Sequence, residues 1–317
     1  MIKKSFIFII IALISISLVS CDSKDLSKNK ELVIADQFGI AYAPVQIMKE
    51  KKFLEKRLKN YNIKWVKLGN ASAIREAIVS EKLDVGFTGI PPFIIGYEND
   101  TPWKIITGLS QSPLGLVSSD KSINTLKNIE KSSKIALPQP GSIQHILLKM
   151  AAKNKLNDSK YFDKQLVSMS HPNGMSALNA NSEIKLHFTS PPYLQQELKD
   201  SKNSLVISGK EAFGDEFTFI VILGSKRLFE NKKEYEAVKS SIFESINFIN
   251  EKPKESLDIL SKYYEYDKKT LKALIYDKDM KFSKDIKGLD KFIDFMYKND
   301  MINKKIESNK LRWEIDE

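Results

Sequence analysis

One order recurs along this chain: a short apolar run, a loop of small polar residues, then an amphipathic stretch. Leu32-Val33-Ile34-Ala35 ends at Asp36. After the loop from Gln37 to Ala43, Pro44 suits the first turn of a helix whose apolar face carries Val45, Ile47, Met48, Phe53, Leu54 and Leu58. Ile63 to Leu68 reads as a second strand, Gly69-Asn70-Ala71-Ser72 as its loop, and Ala73, Ile74, Ala77, Ile78 and Leu83 as the next helical face. Asp84 to Gly89 is a third strand and turn, and Pro91-Pro92 begins another connection or helix. Trp103 to Val117 holds two strand-like halves around Gln111-Ser112-Pro113. Strand and helix in alternation predict a parallel, doubly wound sheet.

The order then restarts. Lys134 to Leu137 is a strand, Pro138 to Gly141 a loop, and Ser142 a good N-cap for a helix from Ile143 to Lys153. Asp163 to Met169 reads as a strand, His171 to Gly174 as a turn, and Met175 to Leu178 as helix. Ile184 to Phe188 is a strand, and Thr189 to Tyr193 is the loop before a helix from Leu194 to Leu198. Phe217 to Leu223 is a strongly apolar strand, after which the chain reads as helical to its end. A tail of helices alone has no sheet to complete, so it should pack back on the first one. The expectation is an α/β chain of two lobes, each a mainly parallel sheet flanked by helices. Residues 31–113 and 218–317 form lobe I, 114–217 form lobe II, and two crossing strands act as hinge. A length of 317 residues suits about two domains.

The N-terminus reads as an export signal over residues 1–20. Lys3 and Lys4 are followed by an unbroken apolar stretch from Phe6 to Ile14, too short to span a membrane comfortably. Leu18-Val19-Ser20-Cys21 resembles a bacterial lipobox, so Cys21 is expected to carry lipid and to anchor the chain to a membrane. Residues 21–30 are polar and read as a tether, which places the folded body on the extracytoplasmic side. One cysteine excludes a disulfide framework and a cysteine-based metal site.

The formal charge of +10 first suggests nucleic acid, but the lysines are scattered among acidic and amide residues. Arg57, Arg75, Arg227 and Arg312 are the only arginines, where phosphate or base reading normally recruits many. Nucleic acid is therefore not expected as a partner.

Each predicted loop follows a strand's C-terminal end, where open α/β sheets bind ligands. The candidate ligand-binding residues there are Phe38, Gly39, Tyr42, Asn70, Ser72, Thr88, Gly89, Gln111, Ser142, Gln144, His145, Ser190 and Tyr193. Several precede helices, whose free N–H groups favour an anionic group by only about 0.3–1 kcal/mol each at exposed sites. Micromolar affinity needs about 8 kcal/mol, so loops from both lobes must converge. Taken singly, Ser142 and Ser72 equally suit helix caps, and Tyr42 and Tyr193 packing aromatics. Asp36 ends a strand and is a candidate for an amine or ring nitrogen, whereas Asp84 reads as a cap or turn residue. No nucleophile elbow, phosphate-binding loop or His-Glu-x-x-His motif occurs, and no carboxylate–histidine cluster has metal spacing, so neither enzyme, metal nor cofactor is expected.

The stretches Gly39-Ile40-Ala41-Tyr42-Ala43-Pro44, Ala73–Ala77 with Asp84–Gly89, Ile135–Leu137 with Gly141–His145, and His187–Tyr193 carry a resemblance. In their order and spacing they resemble the substrate-binding lipoproteins of bacterial ABC importers for nitrate, sulfonates, taurine and thiamine-type pyrimidines. That resemblance implies a type 2 periplasmic-binding fold, a ligand held between lobes by Tyr42, Asn70, Ser72, Thr88, Ser142, Gln144 and Ser190, and delivery by a monomer to an ABC permease. It departs in showing no basic residue clearly aimed into the cleft, which leaves a sulfonate- or nitrate-like anion and a neutral heteroaromatic bounded by Phe38, Tyr42 and Tyr193 both open. The alternatives are a ligand-sensing surface lipoprotein feeding a signalling receptor, or an enzyme of pyrimidine and thiamine metabolism. The fold's thiamine-pyrimidine synthases look like they rely on a cysteine-rich segment, and this chain has only Cys21.

Overall fold

A computed structural model describes residues 30–37, 39–180 and 183–313. The expected export signal, Cys21, most of its tether and Phe38 lie outside the described residues. Lobe I begins with β1 (Lys30–Asp36), α1 (Ala43–Lys51), α2 (Phe53–Arg57), β2 (Tyr61–Lys67), α3 (Ala71–Val79), β3 (Val85–Gly89), α4 (Ile90–Glu98) and β4 (Trp103–Gln111). Lobe II is β5 (Gly115–Ser118), β6 (Lys134–Leu137), α5 (Ile143–Leu156), β7 (Leu166–Ser168), α6 (His171–Asn179), β8 (Ile184–Thr189), α7 (Tyr193–Lys199), β9 (Ser204–Ser208) and α8 (Gly209–Phe213). The chain returns as β10 (Ile220–Ser225), α9 (Lys226–Glu230), α10 (Lys232–Glu251), α11 (Pro253–Leu260), α12 (Lys268–Ile275), β11 (Lys281–Phe282) and α13 (Leu289–Lys298).

The sheets have the orders β11-β4-β10-β3-β1-β2 and β7-β6-β8-β5-β9. Both are mixed. β1 pairs parallel with β2 and β3, whereas β10 runs antiparallel to β3 and β4. β6 pairs parallel with β7 and β8, whereas β5 runs antiparallel to β8 and β9. The geometry of crossing explains the reversed strands. β10 enters with Ile220 opposite Gly89 and Ser110, at the C-terminal ends of β3 and β4. β5 enters with Gly115 opposite Thr189 and Ser208, at the C-terminal ends of β8 and β9. A strand that crosses between lobes arrives at those ends and must run against its new neighbours.

Local signals set the elements. β3 is buried along its whole length, as a parallel strand covered on both faces requires. Asp84, just before it, accepts the Val33 N–H at 2.8 Å and the Arg227 Nε–H at 2.6 Å, tying β1, β3 and α9 together. Asn70 caps α3 by accepting the Ala73 N–H at 2.9 Å, and Ser142 caps α5 by accepting the His145 N–H at 3.3 Å. The tail packs on lobe I as expected, with α10 across α1 and α2 and α13 on α4.

Three local expectations are corrected, and two elements are added. The tail is not wholly helical, because Lys281 and Phe282 pair with Gln111 and Ser110 of β4. A two-residue strand shows no alternation from which to read it. β10 starts at Ile220, and Phe217 and Phe219 pack in the core ahead of it. Residues 171–174 are not a turn but the first turn of α6, where Pro172 needs no N–H partner. β9 and α8 went unread, since β9 mixes buried and exposed positions without a clean period.

Candidate functional site

The strand ends described above open onto one cavity of about 1070 Å³, lined by residues of both lobes. From lobe I come Gly39, Tyr42, Asn70, Thr88 and Gly89; from lobe II come Ser142, Gln144, Ser190 and Tyr193. The structure thus brings together nine of the thirteen candidates. Three others stand apart. Ser72 lies one contact back, accepting the Gln139 side-chain N–H at 3.4 Å. Gln111 is buried beside Lys281 in the pairing of β4 with β11. His145 turns away from the cavity: its Nδ1 accepts the Gly141 N–H at 3.0 Å, and its Nε2 lies 4.0 Å from Asp163. Burial, aided by nearby Lys149, holds its pKa down to about 4, so His145 is a neutral acceptor for a loop. The fourth, Phe38, is outside the described residues.

Six helices, α1 and α3 to α7, begin at this cavity, with Tyr42, Asn70, Gly89, Ser142, Ser170 and Pro192 at their N-caps. Their positive dipole ends lie at the space between the sheets, with first-turn N–H groups left open only where neither a proline nor a cap removes them. The wall also holds residues outside the thirteen candidates, among them Lys67, Gln139, His171, Gln196, Phe219 and the run Tyr263-Tyr264-Glu265-Tyr266. That run lies between α11 and α12. Three tyrosines in four residues of a lysine-rich tail were a visible signal, hidden by the assumption of continuous helix. The Tyr264 hydroxyl donates to the Gly39 carbonyl at 3.0 Å, joining the tail to the loop after β1. Gly39 has a φ of 116°, a backbone region that suits glycine. Burial raises the Tyr42 and Tyr264 pKa values above the ordinary phenol range, so both stay protonated donors.

Lys67 supplies a basic group at the wall, which the sequence alone did not show. Asp36 also reaches the cavity, but its two oxygens already accept from Gln46 at 2.7 Å and Lys49 at 2.8 Å. The wall of lobe II is backed by a line of buried titratable groups. His171 Nε2 faces Gln144 Nε2 at 3.2 Å and Ser190 Oγ at 3.3 Å, and the ring stacks on Tyr193 with centroids 5.8 Å apart. His171 Nδ1 is 3.1 Å from His187 Nε2, and His187 Nδ1 is 2.6 Å from Glu197 Oε1. Burial, and for His171 also its neighbour His187, holds both imidazoles down to about 3, and burial pushes Glu197 up to about 8. Among the described residues no cluster of His, Cys, Asp and Glu could hold a metal ion, and no helix is long and apolar enough to cross a membrane.

A fold of two mixed α/β sheets with a ligand-sized gap between them, and crossings at the strand ends, is that of the periplasmic binding proteins, the type 2 fold that the resemblance implied. Solved structures carry the same architecture. The alkanesulfonate-binding protein SsuA from Xanthomonas axonopodis pv. citri, bound to MOPS, matches with a TM-score of 0.74 and 19% identity over 89% of this chain and 98% of that one. The periplasmic aliphatic sulphonate binding protein SsuA from Escherichia coli matches with a TM-score of 0.72 and 18% identity over 90% of this chain and 92% of that one. The periplasmic nitrate-binding protein NrtA from Synechocystis PCC 6803 matches with a TM-score of 0.61 and 13% identity over 81% and 74%. No protein-family model and no curated protein sequence matches the chain.

Proposed function

We propose that the chain is the extracytoplasmic solute-binding component of an ABC importer. In this reading Cys21 carries the lipid anchor, and the lobes, divided near residues 113 and 218, close on a small organic anion of sulfonate type. The closed form then docks on a permease and releases the solute unchanged. The observation that carries the reading is a cavity walled by strand-end loops of both lobes, with six helices beginning at it. A ligand that touches both walls has more contacts in the closed state, and that differential affinity drives closure. At about 1070 Å³ the space exceeds the need of a four-atom anion and suits an anionic head with an organic body. The tyrosines and Phe219 would cover that body.

The same tyrosine-rich wall favours a second reading, a neutral pyrimidine-like solute between Tyr42, Tyr193 and Tyr264. Calorimetry and thermal-shift titrations with hexanesulfonate, taurine, nitrate and an aminopyrimidine separate the two. Binding of the sulfonates with an upward Tm shift is expected. An aminopyrimidine that binds alone selects the second reading, and absence of binding by every probe argues against a solute receptor.

A further inference from the structure

We propose that the cavity reads an anionic group through one proton held on the line Glu197–His187–His171, so that anion capture is coupled to retention or uptake of that proton. The inference rests on the receptor reading above and deepens it. Glu197 and His187 are sealed from solvent, with side chains 0% exposed, while His171 reaches the cavity. Only the His171 end of the line can exchange protons with the cleft.

Two arrangements satisfy the distances, and they set the Gln144 amide differently: its nitrogen donates to a bare His171 Nε2, and its oxygen must turn inward when that nitrogen carries a proton. In the first, Glu197 is a neutral acid that donates Oε1–H to His187 Nδ1. His187 Nε2–H then donates to His171 Nδ1, and His171 Nε2–H points at Ser190 and the cavity as a donor. In the second, Glu197 is a carboxylate that accepts from His187 Nδ1–H. His171 Nδ1–H then donates to His187 Nε2, and His171 Nε2 offers a lone pair to the cavity. The two differ by one proton. It enters at His171 Nε2; the Nδ1–H of His171 passes to His187 Nε2, the Nδ1–H of His187 passes to Glu197, and the carboxylate becomes an acid. No bond is left open and no further reactant is needed.

The first arrangement presents a donor, which an anion requires; the second presents a lone pair, which repels one. Two observations place the line close to balance. Glu197 Oε2 is buried without a hydrogen-bond partner among the described residues, which makes the ionised form costly. Its burial raises it to about 8, within reach of neutral pH. Other groups facing His171 are few. Tyr193 and Thr189 are neutral, and β6 behind α6 is apolar apart from Lys134 at its far end. On α5, Gln144 is neutral, and His145 and Lys149 are directed to Asp163. Elsewhere on the cavity wall stand Lys67, Glu265, Tyr264 and Tyr266, with Asp36 held by Lys49.

The test is calorimetry of hexanesulfonate, nitrate and an aminopyrimidine on the full-length chain, from pH 6 to 9, in buffers of different ionisation heat. Neither anion titrates in this range, so any proton exchanged belongs to the protein. Anion affinity is expected to fall as pH rises through the titration of the line, by at most about tenfold per pH unit, the limit for one proton. Proton uptake on binding should be above zero and below one. E197Q keeps a hydrogen bond to His187 but removes the proton acceptor, so its anion affinity should be nearly flat with pH. H171N, on the cavity wall, should flatten it as well if E197Q fails to fold. Anion binding that is flat with pH and exchanges no proton overturns the inference and leaves the receptor reading intact. Binding of the aminopyrimidine alone also overturns it, and no binding by any probe overturns both.

Discussion

A side chain at residue 174 would collide with an imidazole. A Cβ built on Gly174 would lie 2.6 Å from Nε2 of His187, closer than real side chains approach, and the ring is buried with no slack. G174A is therefore expected to displace His187 from His171 and to cost about 1–3 kcal/mol, as overpacking does, read by chemical denaturation. An unchanged midpoint would show that the ring can retreat. Tyr264 offers a milder probe on the opposite wall. Y264F deletes the hydroxyl that holds the Gly39 carbonyl and should weaken binding of the best sulfonate by about fivefold, near the 1 kcal/mol of a neutral hydrogen bond. A purely packing role for the ring would leave affinity unchanged.

At the scale of elements, the helix starts do double service. Ser142 caps α5 and also lines the cavity, so one side chain is placed for both of the uses that the sequence offered. S142A is expected to lower unfolding free energy by about 1 kcal/mol and to weaken anion binding as well. A drop in stability with no change in affinity would reduce Ser142 to a cap. Much of this was legible beforehand. β1 and β6 are compact apolar runs followed by polar loops, and such runs announce both a strand and the place where its loop will sit. What escaped notice had physical reasons. His171 follows a three-residue strand and precedes a proline and a glycine, a pattern shared by turns and by helix starts. His187 sits inside a strand, where its sequence neighbours Leu186 and Phe188 give no hint of Glu197 on the following helix. Tyr264 belongs to the wall because α11 ends at Leu260, an end that the apolar pattern of the tail does not mark. His145 and Gln111 carried suitable chemistry in suitable loops, but the direction of a side chain is set by the backbone around it.

For the whole molecule, buried titratable groups set a stability optimum. His145, His171 and His187 remain neutral in the fold, with pKa values held far below the usual 6.5. The unfolded chain binds protons there that the native chain refuses, so stability rises with pH up to about 6.5. Glu197 has the opposite sign. Its folded pKa is raised from 4.5 to about 8, so the native state keeps a proton that the unfolded chain releases, and stability falls with pH between those values. Where the windows overlap, three histidines outweigh one carboxyl; above about 6.5 only Glu197 acts. Thermal denaturation across pH is expected to peak near 6.5 and decline toward 8, and E197Q should abolish the decline while sparing the acid side. A curve still falling in E197Q would move the cause elsewhere.

The insertion of β10 between β3 and β4 also fixes a timetable. A chain emerging from the ribosome N-terminus first delivers β1 to β4 early, yet these four cannot join into one sheet until residues 220–225 appear. Everything needed for the other sheet lies between residues 115 and 208, so that half can finish while the first remains a pair of unmatched edges. Those waiting edges are the part of a nascent chain that a holding chaperone would have most reason to cover.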